Sequence, residues 1–257
     1  MRDICQRNDI DITIIVFVRS IYEQCYSNYL QRVKRSGATH AFGEEESDIA
    51  FSNTAEKLRR YLDVFGPQLT VLNYDEEKHD ICGAFSRITG INPKNTETIK
   101  QRVNRSLTQE ETDVLRRLNG FHKGKFSTHL SDYVIRQSPN KETHVFYDES
   151  MVKTLREKYD EDVQWVNCQF ALNPPLVSDF YSGTSDEPAT KLDRSSYKPA
   201  LEWALKHEPI TRESHLELVN FLREFAYFFH QFSAPDAAAL IKRAQALEVK
   251  SKGMKDH

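Results

Sequence analysis

Arg19 follows a β-branched run, Ile12-Thr13-Ile14-Ile15-Val16-Phe17-Val18, and stands immediately before a segment of helical periodicity. A guanidinium at a strand end, beside the free N–H groups and partial positive charge of a helix N-terminus, suits phosphate or sulfate oxygens. Ser27, eight residues on, falls about two turns into that helix, where its hydroxyl would serve the same anion. Other segments carry reactive residue types without completing a site. Gly120-Phe121-His122-Lys123-Gly124-Lys125-Phe126-Ser127-Thr128 has the composition of a phosphate loop. Its glycines, however, stand one residue too close, Phe126 occupies the Ser/Thr position after the lysine, and a helix rather than a strand precedes it. It reads as a helix-terminating glycine and a basic, solvated loop, with His122, Lys123 and Lys125 available to an anionic acceptor. Asp9-x-Asp11 has the spacing of a metal-binding acidic pair but enters a strand instead of ending one. His79, Asp80 and Cys82 lack a partner pair at zinc-site spacing, so no metal is expected. Neither Gly-x-Ser-x-Gly nor Gly-x-Gly-x-x-Gly occurs.

The elements that must position Arg19 and Ser27 are a strand and the helix after it. The strand run is continuous, the pattern of a parallel strand buried on both faces. From Ser20 to Lys34, Ile21, Cys25, Tyr29 and Val33 recur every four residues along one stripe, with Ser20 placed to cap. A helix over 54–65, stopped by Gly66-Pro67, precedes a second strand, Leu69 to Tyr74. Further helices are expected at Ile81 to Gly90, from Thr108 with a Thr108/Glu111 capping box to Asn119-Gly120, and from Asp148 to Tyr159. Residues 173–209, with Asn-Pro-Pro, Ser-Gly-Thr-Ser-Asp-Glu-Pro and Lys-Pro clusters, read as an extended linker. Two helices close the chain, Thr211 to Gln231 and Asp236 to Glu248, the second capped by Ser233 with Pro235 in its first turn. Residues 210–257 thus form a helical hairpin with a frayed end. Its aromatic face, within 211–248, is suited to packing on the chain itself, on a second copy or on a protein partner.

Composition narrows the class. Of 257 residues, 39% are hydrophobic and 28% charged, the balance of a globular protein and not of a collagen-like or wholly disordered one. Thirty-five basic against 38 acidic residues leave a net charge of −3, so no overall positive field holds nucleic acid. No apolar run approaches the ~20 residues of a membrane span, and the polar N-terminal segment has no signal core, which together point to the cytoplasm. Cys5, Cys25, Cys82 and Cys168 form no framework and are expected to be reduced and mostly buried.

The order strand, Arg19, Glu23, Ser27, Tyr29 resembles the 3′-phosphate-binding element of sulfotransferases that use 3′-phosphoadenosine 5′-phosphosulfate. In that family a buried strand ends in Arg and the next helix carries Ser at this spacing. Val103-Asn104-Arg105-Ser106-Leu107-Thr108, leading into Leu115-Arg116-Arg117-Leu118-Asn119, resembles the segment before a late helix in bacterial carbohydrate-type members. Phe146-Tyr147 to Tyr159, with the acidic and aromatic stretch to Trp165, resembles the region that closes the domain. The resemblance covers about residues 10 to 170. It implies a P-loop-like α/β fold over 1–172, a parallel sheet flanked by helices, followed by the linker and the helical extension.

It also implies that Arg19 and Ser27 bind the 3′-phosphate of the sulfuryl donor, with a saccharide hydroxyl or amine as acceptor. The family's 5′-phosphosulfate loop lies many tens of residues before the Arg-bearing strand, and 18 residues precede Arg19. The resemblance therefore implies an N-terminally incomplete domain, with the loop and catalytic base missing and apolar sheet surface exposed. No catalytic residue is assigned. Two alternatives stand beside this reading: an inactive sulfotransferase-like interaction module, and a glycosyltransferase using Asp9-x-Asp11.

Overall fold

Two strands pair in this chain, β1 (Ile14–Val18) and β2 (Leu69–Asn73), and they are parallel, with Ile14 opposite Leu69 and Val18 opposite Asn73. The structure is a computed structural model that describes residues 2–49, 52–91, 105–141, 143, 147, 149–176 and 194–254. Around the strands it is mostly helical. In chain order the helices are α1 (Arg2–Arg7), α2 (Ile21–Gln31), α3 (Glu46–Ile49), α4 (Thr54–Phe65), α5 (Tyr74–Glu77), α6 (Ile81–Thr89) and α7 (Gln109–Asn119). They continue with α8 (Ser127–Gln137), α9 (Glu149–Phe170), α10 (Arg194–Lys206), α11 (Arg212–His230) and α12 (Ala234–Lys252). An α/β chain with a small parallel pair is what the described residues form. Its strands are half-buried for the most part, only Val18, Leu69 and Val71 being buried, because two strands cannot cover both of their own faces.

The chain divides into two compact units. The first takes in Met1–Asn28, Phe42–Gln101 and Phe146–Thr184, and the second Tyr29–Ala41, Arg102–Val145 and Ser185–His257. This division interleaves the sequence, whereas the resemblance implied a domain over 1–172, followed by a linker over 173–209 and a hairpin over 210–257. Within 173–209, residues 194–206 are the helix α10. Its Tyr197, Ala200, Leu201 and Ala204 keep a helical apolar stripe, and Pro199 forgoes a single backbone bond in the second turn. The Ser-Gly-Thr-Ser-Asp-Glu-Pro cluster lies outside the described residues.

In the first unit, α9 continues eleven residues past the expected end at Tyr159. Val163 and Val166 extend the buried stripe of Leu155 and Tyr159, so the Asp160-Glu161-Asp162 run is a helix face and not a stop. Tyr159 fastens α9 to the loop after α3: its hydroxyl donates to the Ile49 carbonyl and accepts from the Ser52 N–H at 3.3 Å.

The second unit is organised by a buried ion pair. The Arg105 and Glu111 side chains are 1% and 5% exposed and meet through two hydrogen bonds of 2.7 and 3.0 Å. The remaining Arg105 donors go to the carbonyls of Ser106 (2.8 Å), Ser138 (2.5 Å) and Val134 (3.3 Å). Glu111 also accepts from the Thr108 N–H, closing the expected capping box of α7. Burial works to raise the Glu111 carboxyl, but the Arg105 and Thr108 hydrogen bonds outweigh it and hold the carboxyl below its ordinary range.

The glycine-rich segment after α7 is a packing joint. Gly37 and Gly124 both have positive φ, and a Cβ on Gly124 would lie 2.7 Å from the Gly37 Cα. Beside them the Asn119 amide donates to the carbonyls of Val33 and Ala38 at 2.8 and 2.9 Å. Ser127 then starts α8, which the loop reading did not include; its Leu130, Val134 and Ile135 are buried. Lys125 pairs with Glu217, and Phe126 is buried, so the basic loop is solvated only in part. Helices α11 and α12 form the expected hairpin, α11 starting with a Thr211/Ser214 capping box.

Substituting Arg105 by Met leaves the buried Glu111 with only the Lys141 ammonium, 3.5 Å away, as counter-charge. Chemical denaturation of Arg105→Met should show a loss of ~3–5 kcal/mol. The double variant with Glu111→Leu should recover part of it, since no isolated charge remains. His207 supplies a pH-dependent element. It stacks on Trp203 with ring centroids 4.5 Å apart, faces His129 of α8 at 5.9 Å, and has Glu208 and Arg243 as charged neighbours. Burial, then His129 and Arg243, lower its pKa below 6.5 against the pull of Glu208. The unfolded chain therefore binds this proton first as pH falls, and stability declines below about pH 6.5 until the folded-state pKa is passed. Melting temperature followed against pH should show this decline, and His207→Gln should flatten it.

Candidate functional site

The carboxyl ends of parallel strands are where open α/β sheets bind ligands, and here those ends are Val18-Arg19 and Asn73-Tyr74. β1 stops at Val18 because the next residues are Arg19, whose side chain is 40% exposed, and the buried Ser20 that opens α2. Two carboxylates already occupy this junction. Glu23 Oε2 accepts from Arg19 Nε at 3.0 Å and Nη2 at 2.8 Å. Asp75, in the first turn of α5, accepts a long bond of 3.5 Å from the Ser20 N–H while Lys78 reaches its other oxygen at 3.3 Å. The positive end of α2 thus faces an acidic side chain from the neighbouring strand's exit. The Ser20 hydroxyl is buried without a hydrogen-bond partner among the described residues.

Ser27 lies on α2 one turn beyond Glu23, half-buried, with no protein partner for its hydroxyl among the described residues. Glu23 and Ser27 share one stripe of α2, and Arg19 stands two residues before its start, four residues from Glu23. An anion bridging the guanidinium and the hydroxyl would have to lie over Glu23. Arg19 Nη1 has no protein partner among the described residues, which leaves one face of the guanidinium to solvent.

Beside this stripe sits an aromatic cluster and a cleft. Tyr26, Phe42 and Tyr147 meet edge to face, with centroids 5.1 to 6.2 Å apart. Tyr147 is 5% exposed, and burial, followed by Glu23 and Tyr26, raises its pKa despite the nearby Arg19. It also lines a cleft of about 500 Å³ together with Glu149, Lys153, Arg156, Glu157 and Asp160 of α9. Tyr22 of α2 donates its hydroxyl to Asp160, and burial together with that carboxylate raises the Tyr22 pKa. Both phenols therefore stay protonated at neutral pH, and Tyr22 is the donor to Asp160.

Compared with known proteins, the chain matches no family model, no curated protein sequence and no solved structure. Its chemistry must therefore be argued from this geometry. Of the residues singled out in the sequence, Ser27 lies on α2 and Arg19 two residues before its start, with its guanidinium on Glu23. Glu23 carried no assigned role, although its i,i+4 spacing from Arg19 is the signature of an ion pair. Asp75, Tyr147, Arg156 and Asp160 had no local signal, because only the fold brings them to the junction and its flanking cleft.

The remaining candidates have structural roles or fall outside. Asp9 sits at positive φ in the turn before β1. Asp80 caps α6 by accepting from the Gly83 N–H at 2.9 Å. No group of side chains suited to a metal occurs among the described residues. Asn104 of the Val103–Thr108 segment lies outside them, and Arg105 is consumed by its buried pair. No described helix is long and apolar enough to cross a membrane.

The cysteines depart from expectation: Cys25 is fully buried, Cys5 is half-buried, and Cys82 and Cys168 are exposed, all four as free thiols. Burial raises the Cys25 pKa, which further suppresses its thiolate. Alkylation with iodoacetamide at pH 8, read by peptide mass spectrometry, should label Cys82 and Cys168 at least about tenfold faster than Cys25.

Proposed function

We propose that this chain is a sulfotransferase-like α/β protein whose β1–α2 junction binds the 3′-phosphate of 3′-phosphoadenosine 5′-phosphosulfate. The observation that carries the reading is the half-exposed Arg19 guanidinium immediately after a parallel strand, two residues before the helix that bears Ser27. In the bound state a phosphate replaces Glu23 as the partner of the Arg19 fork, and the Ser27 hydroxyl adds a donor. A half-exposed pair of this kind is worth ~0–1 kcal/mol, so exchanging it for a phosphate dianion is energetically open.

The flanking cleft supports a polyhydroxylated acceptor such as a saccharide. Its carboxylates Glu149, Glu157 and Asp160 accept hydroxyl hydrogen bonds, while Tyr147 offers a ring and Arg156 and Lys153 offer donors. The Tyr22–Asp160 bond fixes one of those carboxylates. In-line sulfuryl transfer additionally needs donors on the equatorial oxygens and a base on the acceptor. Neither β1 nor β2 runs into a Gly/Ser/Thr/Lys loop, so the proposal assigns donor binding to this chain and names no catalytic base.

Isothermal titration with adenosine 3′,5′-bisphosphate, the desulfated donor, tests the reading. Arg19→Ala should weaken binding by about tenfold or more, the scale of a lost bidentate phosphate contact. Glu23→Gln removes the competing carboxylate and should tighten binding several-fold. Adenosine 5′-monophosphate should bind weakly and be indifferent to both changes. No saturable heat with either the wild type or Glu23→Gln, or an unchanged affinity in Arg19→Ala, would overturn the proposal.

A further inference from the structure

The second unit carries a groove unrelated to the strand junction. It runs along the outer seam of the α11–α12 hairpin with a volume of about 660 Å³. Residues 223, 226, 227 and 230 of α11 and 234, 237, 238, 241, 242 and 245 around α12 line it, one stripe from each helix at helical spacing. The pairing of early α11 with late α12 makes the two helices antiparallel. Tyr227 is 78% exposed and Ile241 39%, so apolar surface stands open on both walls. The hairpin's own packing explains neither side chain, because its buried seam is already complete with Leu218, Leu222, Phe225, Phe229, Leu240, Ala244 and Leu247.

The formal charges in the groove lining, Arg223 and Lys242, are both positive. His230 adds an imidazole and no carboxylate is in the lining, in a chain with more acidic than basic residues. Arg223 is held at one end by Glu248 at 2.6 Å. Lys242 has no partner among the described residues. Two antiparallel helices with an apolar trough between them present the ridges and grooves that accept a third helix at 8–10 Å separation. The rim selects for carboxylates on that helix.

We infer that the α11–α12 groove is a docking site for an acidic amphipathic helix of a partner protein. Large apolar side chains of the partner at i, i+3 or i+4, and i+7 would enter the trough between Tyr227 and Ile241, and its flanking Glu or Asp side chains would face Lys242 and His230. This inference is independent of nucleotide binding at β1–α2.

A phage-displayed library on a neutral helical scaffold, randomised along one face, tests it with the full chain as bait. Enriched peptides should combine the apolar i, i+3/i+4, i+7 pattern with flanking acidic residues. By fluorescence anisotropy they should bind the wild type, lose at least about tenfold in affinity to Ala238→Glu, and weaken in Lys242→Glu and with added salt. Ala238 is exposed, so that variant should keep the wild-type circular dichroism and melting temperature, which separates lost docking from lost folding. Enrichment of basic or non-amphipathic peptides, no enrichment over the scaffold, or equal affinity for Ala238→Glu would overturn the inference. So would co-sedimentation of the wild type with phosphatidylserine/phosphatidylcholine vesicles that Lys242→Glu abolishes, since the face would then belong to a lipid surface.

Discussion

Arg105 is the fixed point of its unit. A guanidinium has five N–H donors, and a buried one is tolerated only when all of them are satisfied and its charge is matched. Here two go to Glu111 and the others to three carbonyls, from residues 106, 134 and 138. These partners lie at the entry to α7 and at the end of α8, so one side chain sets where both helices stand. The Glu111 carboxylate completes the N-cap of α7, so the ion pair and the helix start cannot be separated. Packing then follows from it. The Asn119–Ser127 bond of 2.6 Å and the Gly37–Gly124 approach both require the end of α7 to be held in register with the start of α8.

Arg19 shows the same side-chain chemistry with the opposite consequence. Its pair with Glu23 is single-oxygen and half-exposed, where water competes for every donor. Removing Arg105 from its partner strands a charge in a dry interior, whereas Arg19 can leave Glu23 at little cost. Exposure, not residue type, separates the arginine that builds from the arginine that can bind. The resemblance segment that leads into α7 contains Arg105, and its role there is structural.

Helices whose ends are written locally were legible in the sequence. Thr108/Glu111 and Gly66-Pro67 marked α7 and α4 to the residue, and the spacing of Leu58, Tyr61, Leu62 and Phe65 marked the apolar face of α4. Where the local code conflicted with tertiary packing, the reading failed. The acidic triplet after Tyr159 looked like an end and Pro199 looked like a breaker, yet buried stripes carried α9 and α10 through both. α8 was hidden because it begins without a side-chain cap, three residues after a glycine whose conformation serves the contact with Gly37. At the candidate site the same division holds. Glu23 and Ser27 share α2 and Arg19 stands just before it, so the three could be read from spacing. Asp75, 55 residues from Ser20, and Asp160, 138 residues from Tyr22, become neighbours only through the strand pairing and the docking of α9.

The two carboxylates at the β1–α2 junction are similarly exposed and differ in their partners. Glu23 is partly exposed and holds the Arg19 fork, and in the proposed complex it would give way to the phosphate. The Asp75 carboxylate is held by the Ser20 N–H and by Lys78, and its backbone N–H bonds Asn73 Oδ1 in the cap of α5. It therefore keeps a negative charge at the N-terminus of α2 and repels an anion placed on the helix axis. An anion at this junction is directed off the axis, toward Arg19 and the Ser27 stripe. The electrostatics thus favour a phosphate held by side chains over one cradled by backbone N–H groups. Such binding rests on exposed charges and must weaken as salt rises.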